Sequence, residues 1–369
     1  MITNLPHGYY IVNDQVYANK AQAIYASKGN TVTWNFHDDI FSASNWTKRP
    51  AGLLKDLYKD RAQQLRDKYD YLVLNFSGGP DSWNILNTFL VNNIKIDEIF
   101  TRWAKAERKY RTANNTNTDE ANLGSEFEYA VLPVLESIAK THPEINIVID
   151  DYSDGYMQEL KEGQILESNH YQMMPSFFRF NRKSESELLA EKHNKSVGVV
   201  YGYDKIRCCV RDGNFYSYFL DCIGGTALDH SRTFELFYWS PEFPQLPILQ
   251  AHSIKDRLKQ SIELKNLSYR QLYTQVCYPD YDTNTFQVQK GWGGMLCKSD
   301  LWIPKFNPRY YESWKWSIDQ LYNSIDKKYL SYHPRDQKIT VGFKPILSRE
   351  YLVEENCGLP DLVWRGLNL

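Results

Sequence analysis

The sequence has no apolar run of the roughly 18 residues that a spanning helix needs. Nor does it open with a basic stretch followed by an apolar one, so neither a membrane span nor a secretory signal is expected. Cysteine is sparse, with 6 residues in 369. Cys208 and Cys209 are adjacent, and Cys222, Cys277, Cys297 and Cys357 form no CxxC pair. Side chains of adjacent residues diverge, and structural zinc wants CxxC spacing. The cysteines therefore read as reduced thiols, and the expected compartment is the cytoplasm. Charge of one sign is missing too: 43 Lys and Arg oppose 45 Asp and Glu, a net of −2. That gives no broad electrostatic case for nucleic acid or a membrane surface. Three familiar signatures are absent as well. There is no GxxxxGK[ST], no GxGxxG, and Asn75 stands where a GxSxG elbow needs its first glycine.

What the chain does carry is Tyr71-Leu-Val-Leu-Asn-Phe76 running into Ser77-Gly78-Gly79-Pro80-Asp81-Ser82. The short apolar run reads as a parallel strand covered on both faces. Gly78 and Gly79 allow a sharp turn and a close approach to a ligand. Pro80 suits the first turn of a helix, and apolar residues at 83, 85, 86, 89 and 90 continue at helical spacing. A helix N-terminus behind a glycine turn is an anion site, with phosphate the usual anion.

The hexapeptide SGGPDS resembles the SGGxDS signature of the PP-loop ATP pyrophosphatase superfamily. Asparagine synthetase, GMP synthetase, argininosuccinate synthetase, tRNA thiolation enzymes and sulfonucleotide reductases are similar at this loop. By that resemblance Ser77, Gly78, Gly79 and Ser82 hold the pyrophosphate part of ATP, and Asp81 helps place Mg²⁺. A second, looser match is Val197-Gly198-Val-Val200-Tyr201-Gly202-Tyr203-Asp204-Lys205, a strand ending in glycine and an acid–lysine pair. There Gly202 is a nucleotide-binding position, Asp204 a further Mg²⁺ ligand, and Lys205, with Arg207, stabilises charge on leaving pyrophosphate. Tyr238-Trp-Ser-Pro241 followed by Gln250-Ala-His252 and Lys255 resembles PP-loop proteins of large tailed phages, which would put the chain in the host cytoplasm. The resemblance is strong over about residues 70–90, looser to about 210, and absent from both flanks.

Alternating strands and helices imply an α/β fold with a doubly wound, mostly parallel sheet, HUP-like by the resemblance. Three parts are expected: a small α+β lead-in module at 1–48, a PP-loop ATP-binding domain at 49–264, and a C-terminal region at 265–369, mostly helical and aromatic-rich, packed on the core. In the lead-in, Asn13-Asp14 joins two short strands, Lys20–Ala26 is a helix and Thr31–Phe36 a strand. Its first residues, Met1-Ile2, lack the N-terminal cysteine of glutamine-dependent relatives. His37, Asp38 and Asp39 read as a solvated loop before a metal cluster. Pro50–Lys68 is amphipathic. Further on, Ile94–Thr101 holds a strand, Glu120–Ala139 a helix, Ile145–Ile149 a strand and Asp154–Lys161 a short helix. Asn214–Leu220 and Thr233–Trp239 read as strands around Gly224-Gly225, then a proline-rich link from Ser240 to Pro247 and a helix from Gln250. His252 and Lys255 share one face of that helix and read as a surface pair.

In a parallel sheet, ligands collect at the carboxyl ends of strands, which adds Thr101, Arg102, Trp103, Asp150 and Asp151 as candidates. The basic stretch Arg102–Arg111 could meet an anion or lie in solvent. Residues 170–183 could wall a pocket or fill core. Tyrosine is abundant, 27 residues with 10 tryptophans, enough for a large core or an interface.

The resemblance implies cleavage of ATP, with Mg²⁺, to AMP and pyrophosphate. A substrate carbonyl or carboxylate oxygen is adenylated, and an amine or other nucleophile then displaces AMP. Asp81, Asp204 and Lys205 are the expected catalytic residues, with Asp81 and Asp204 on the metal. Ser77, Gly78, Gly79, Asp81, Ser82, Thr101 and Gly202 would bind the nucleotide. The acceptor is an unidentified second substrate, and a homo-oligomer is open. Three alternatives stay open beside this: a sulfonucleotide reductase-like enzyme, a nucleic-acid base-modifying enzyme, and a nucleotide-binding protein without catalysis.

Overall fold

The computed structural model describes residues 8–17, 20–103, 105, 127–151, 182–202, 205–221, 233–278, 280–281, 330–335 and 338–364. Several expectations lie outside these residues. They are Asp204, the basic residues from 106 to 111, the helix at Asp154–Lys161, residues 170–181, Cys222, Cys297 and Gly224-Gly225.

The chain opens with β1 (Tyr10–Val12), β2 (Gln15–Tyr17), α1 (Lys20–Ser27), β3 (Thr33–Trp34) and α2 (Asp38–Ala43). Asn13 and Asp14 take left-handed backbone angles, φ 48° and 62°, which close the β1–β2 hairpin as expected of that pair. β1 lies between β2 and β3. Then come α3 (Leu54–Lys68), β4 (Tyr71–Asn75), α4 (Pro80–Val91) and β5 (Glu98–Trp103). A π-turn at Phe127–Val131 leads into α5 (Leu132–Thr141), β6 (Asn146–Asp151), α6 (Glu185–Lys192) and β7 (Val197–Tyr201). After β8 (Arg207–Arg211), β9 (Asn214–Tyr218) and β10 (Phe234–Leu236) follow α7 (Gln245–Gln260), a 3₁₀ turn at Ile262–Asn266, α8 (Tyr269–Cys277), β11 (Leu330–Arg335), β12 (Lys338–Phe343) and β13 (Tyr351–Glu354).

Five strands form one all-parallel sheet in the order β10-β7-β4-β5-β6. Leu72, Val73, Leu74 and Phe76 are buried, as a strand covered on both faces requires. α6 meets one face: its N-cap Ser184 donates to Glu98 Oε2 at 2.7 Å, and Asn146 of β6 donates to Ser186. On the other face the ring of Tyr69, just past α3, lies against Gly198. Coverage of both faces is compatible with a doubly wound fold. The chain runs outward from β4 to β5 and β6, then returns past β4 to β7 and β10. The direction of strand addition thus reverses between β4 and β7, and ligands bind at such a point, outside the carboxyl ends.

Aromatic residues join the lead-in to a second sheet, antiparallel, in the order β13-β9-β8. Trp46 stacks on Tyr351 at 4.5 Å, and Phe41 lies 4.8 Å from Phe219 and 5.8 Å from Trp239. Here lies one physical use of the high aromatic content: large flat side chains fill the seam between the lead-in and this sheet. Below it, Lys20 and Asp221 form a buried ion pair at 2.6 Å, with exposures of 1% and 0%. Asp221 also accepts from Tyr10 Oη at 2.8 Å and the Ile346 amide at 2.9 Å.

Three expectations are corrected, and one further strand appears. Arg207–Arg211 is a strand, paired to β9 through Asp212 and Gly213, both left-handed. That D-G pair is the turn signal, and buried Cys208 and Cys209 are strand core. α7 begins at Gln245, because a proline in the first helical turn (Pro247) forfeits no intrahelical bond. His252 and Lys255 are buried, 3% and 7% exposed. His252 Nε2 faces the Trp46 carbonyl at 3.0 Å, while Lys255 reaches His252 Nδ1 at 3.3 Å and Glu354 at 2.5 Å. Past residue 265, the described residues hold one α-helix and three strands, so the mostly helical reading is not met there. Ile339, Thr340 and Val341 are β-branched, and their strand pairs antiparallel with β11. The helix expected at Tyr311–Ile325 and the tryptophans at 292, 302, 314 and 316 lie outside the described residues.

Among the described residues, no helix is long and apolar enough to cross a membrane. Nor do three or more His, Cys, Asp or Glu gather to hold a metal ion. Asp38 and Asp39 form the first turn of α2 behind His37.

Candidate functional site

The turn after β4 delivers Ser77–Ser82 to the switch point. Gly78 has φ 74°, and a Cβ there would stand 2.8 Å from Val131 Cγ2 and 3.0 Å from the Val131 amide nitrogen. Only glycine fits both the angle and the space. Gly79 precedes α4 as its N-cap, with Pro80 in the first turn. First-turn amides have no intrahelical acceptor, and the helix dipole places positive potential on them. Two serines brace the turn. Ser82 Oγ donates to the Gly79 carbonyl at 3.2 Å, accepts from the Ser77 amide at 3.2 Å and lies 3.3 Å from Ser77 Oγ. Ser82 is buried at 3% exposure and spends its proton inside the loop, whereas Ser77 is exposed.

β7 brings up the second half of the site. Gly202 follows it, and a Cβ there would lie 3.1 Å from Asp81 Cβ and 3.3 Å from Ile85 Cδ1. The bare backbone lets the β7 end sit against the start of α4. Lys205 then reaches Asp81 Oδ1 at 2.5 Å, with side chains 23% and 29% exposed. So Asp81, Gly202 and Lys205 lie together at the carboxyl end of the sheet. Burial lowers the Lys205 pKa from its usual value, and Asp81 offsets this only in part while Arg270 and Arg207 add to it. Lys205 also lies 5.2 Å from the Tyr273 ring centre.

Thr101 sits beneath the loop. It is 1% exposed, and its hydroxyl donates to the Phe76 carbonyl at 2.9 Å. It anchors the base of the turn to β5 with its hydroxyl already engaged. Arg102 spans the carboxyl ends of three strands. It donates to Asn75 Oδ1 of β4 and to Tyr201 Oη of β7, the latter at 3.1 Å.

Sequence reading missed a group of tyrosines. Tyr278 Oη donates to Asp81 Oδ1 at 2.8 Å, and Tyr238 Oη donates to the Asp81 carbonyl at 2.7 Å. Both are buried, at 1% and 0% exposure. Burial and the Asp81 charge push both pKa values well above the ordinary value, so both hydroxyls are donors at neutral pH. Nothing local marks them, since Tyr278 lies 197 positions from Asp81.

Asp81 Oδ2 takes no hydrogen bond or ion pair from the described residues. A partly exposed carboxylate with one such oxygen, beside a helix N-terminus, fits a hard cation shared with phosphate oxygens. Among the described residues, thiol chemistry fits poorly. Cys208, Cys209, Cys277 and Cys357 are all buried. Burial pushes the Cys208 and Cys209 thiols up to about 12, away from the thiolate that reacts.

No protein-family model and no curated protein matches this chain. The functional reading therefore rests on the residues and geometry of the site itself.

Proposed function

We propose that the chain is an ATP pyrophosphatase of the PP-loop type, built on a HUP-like α/β domain. It splits ATP into AMP and pyrophosphate, adenylating a substrate carbonyl or carboxylate for attack by an amine or other nucleophile. One observation carries the reading. The SGGPDS turn lies at the switch point of an all-parallel sheet, and its Asp81 meets Lys205, just past the neighbouring strand β7, at 2.5 Å. A chance turn with capping serines needs no such convergence.

In this reading the amides of the Gly78-Gly79 turn and the start of α4 bind the pyrophosphate portion, with Ser77 the adjustable hydroxyl. Asp81 would hold Mg²⁺, joined by Asp204 from outside the described residues; when bound, the ion neutralises phosphate charge. Lys205 leaves Asp81 for the leaving pyrophosphate as negative charge grows there. Arg102 lies at the same β4–β5–β7 edge, bonded to Asn75 and Tyr201. Nothing here needs a side-chain nucleophile, because positioning and charge neutralisation carry phosphoryl chemistry.

The test is incubation with Mg²⁺ and α-labelled ATP, beside a binding measurement by thermal shift. AMP and pyrophosphate formed by wild type and lost in Asp81→Ala and Ser77→Ala are expected. ADP and phosphate instead would sink the mechanism. Binding without cleavage would point to an absent acceptor substrate or a nucleotide sensor.

A further inference from the structure

The site holds Asp81 from two sides with residues outside either motif. Tyr278, just past α8, takes one carboxylate oxygen at 2.8 Å, and Tyr238, past β10, takes the backbone carbonyl at 2.7 Å. Tyr238 is itself held, accepting from Asn84 Nδ2 of α4 at 3.0 Å. The two rings pack 5.5 Å apart, and Tyr273 lies 5.4 Å from Tyr278 while also bordering Lys205. Tyr281 sets its ring 5.3 Å from Trp83, in the first turn of α4. Behind them Tyr58 of α3 donates to the Cys277 carbonyl at 2.8 Å and so fixes the end of α8.

We propose that Tyr278 is a positioning residue that sets the orientation of the Asp81 carboxylate for divalent cation binding with nucleotide. This rests on the reading of the site given above. A carboxylate on a short side chain can turn about its last bond, and a cation needs it turned one way. Lys205 alone cannot fix that, since it is bound for the phosphates. Tyr278 does not leave: its ring is buried at 1% exposure and wedged between two others. Its hydroxyl therefore occupies Oδ1 and leaves Oδ2 for the cation. The segment from α8 to Tyr281 is thereby part of the site, although nothing in its sequence carries a nucleotide motif.

The test uses the full chain and a non-hydrolysable ATP analogue, titrated with and without Mg²⁺. Tyr278→Phe keeps the ring and removes only the donor. A hydrogen bond to a charged group is worth enough to weaken Mg²⁺-dependent analogue affinity about tenfold. Affinity without metal should stay unchanged. Tyr238→Phe, which loses a bond to the backbone and none to the carboxylate, should leave the ratio of the two affinities as in wild type. A merely structural Tyr278 would lower the melting temperature and leave that ratio alone, which would overturn the proposal. Wild type that binds no analogue, with or without Mg²⁺, would overturn the reading of the site itself and this inference with it.

Discussion

Replacing Lys20 by Met tests the reasoning about the buried polar core most sharply. Lys20 and Asp221 are 1% and 0% exposed and meet at 2.6 Å. Lys20 also donates to the Lys344 carbonyl at 2.5 Å. Burial lowers the Lys20 pKa, and Asp221 offsets this only in part. Both charges leave water at a cost, so each depends on the other. Lys20→Met keeps the length of the side chain and leaves Asp221 with Tyr10 and the Ile346 amide as its donors. An uncompensated buried charge costs about 3–5 kcal/mol. Adding Asp221→Asn removes that charge, while Tyr10 Oη can accept from the new amide. The double variant should regain at least half of the loss. Urea unfolding, with hydrogen exchange of the β1 and β3 amides as a local probe, measures both. A single variant costing under about 1 kcal/mol, or a double variant no better than the single, would refute the argument.

Two further outcomes follow from the structure. Gly202→Ala forces a methyl to 3.1 Å from Asp81 Cβ and 3.2 Å from its carbonyl carbon. It should cost about 1–3 kcal/mol by overpacking and lower nucleotide affinity as well, and wild-type stability in a melt would contradict the close approach. His252 should make the fold acid-sensitive. Burial lowers its pKa below the usual 6.5 and Lys255 adds to that, against the opposing pull of the Trp46 carbonyl and Asp256, with Arg49 repelling as well. The folded state then binds fewer protons than the unfolded one, so stability is full above about pH 6.5 and falls as pH drops below it. His252→Gln should flatten the melting temperature over pH 5–6.5, and parallel curves for the two proteins would exclude His252 as the cause.

Much of the parallel sheet was legible in the sequence because its signals are local. Buried strands read as continuous apolar runs, and Gly78-Gly79-Pro80 punctuates the first of them. The Asn13-Asp14 hairpin and the α4 start were legible for the same reason. Where reading failed, a distant partner had decided the outcome. Arg207–Arg211 carries arginines at both ends and two cysteines inside, which drew attention to charge and metal instead of to the D-G turn that follows. His252 and Lys255 have the look of a surface pair until Trp46 and Glu354 close over them. The loop half of the site announced itself as a motif. Its tyrosine half had no local mark, since Tyr238 and Tyr278 gain their meaning only when the chain folds α8 and the β10 end back onto Asp81.

The ion pair at Lys20 also sets a timetable. Its partners are Asp221 and the Lys344 carbonyl, 201 and 324 positions further along, and β9 likewise waits for the later β13. On a ribosome, the lead-in emerges before both partners, and its lysine stays unmatched until they are made. The parallel sheet, complete once β10 is out, can assemble well before that. Late contacts of such long sequence separation slow folding, and the lead-in amides should be among the last to become protected.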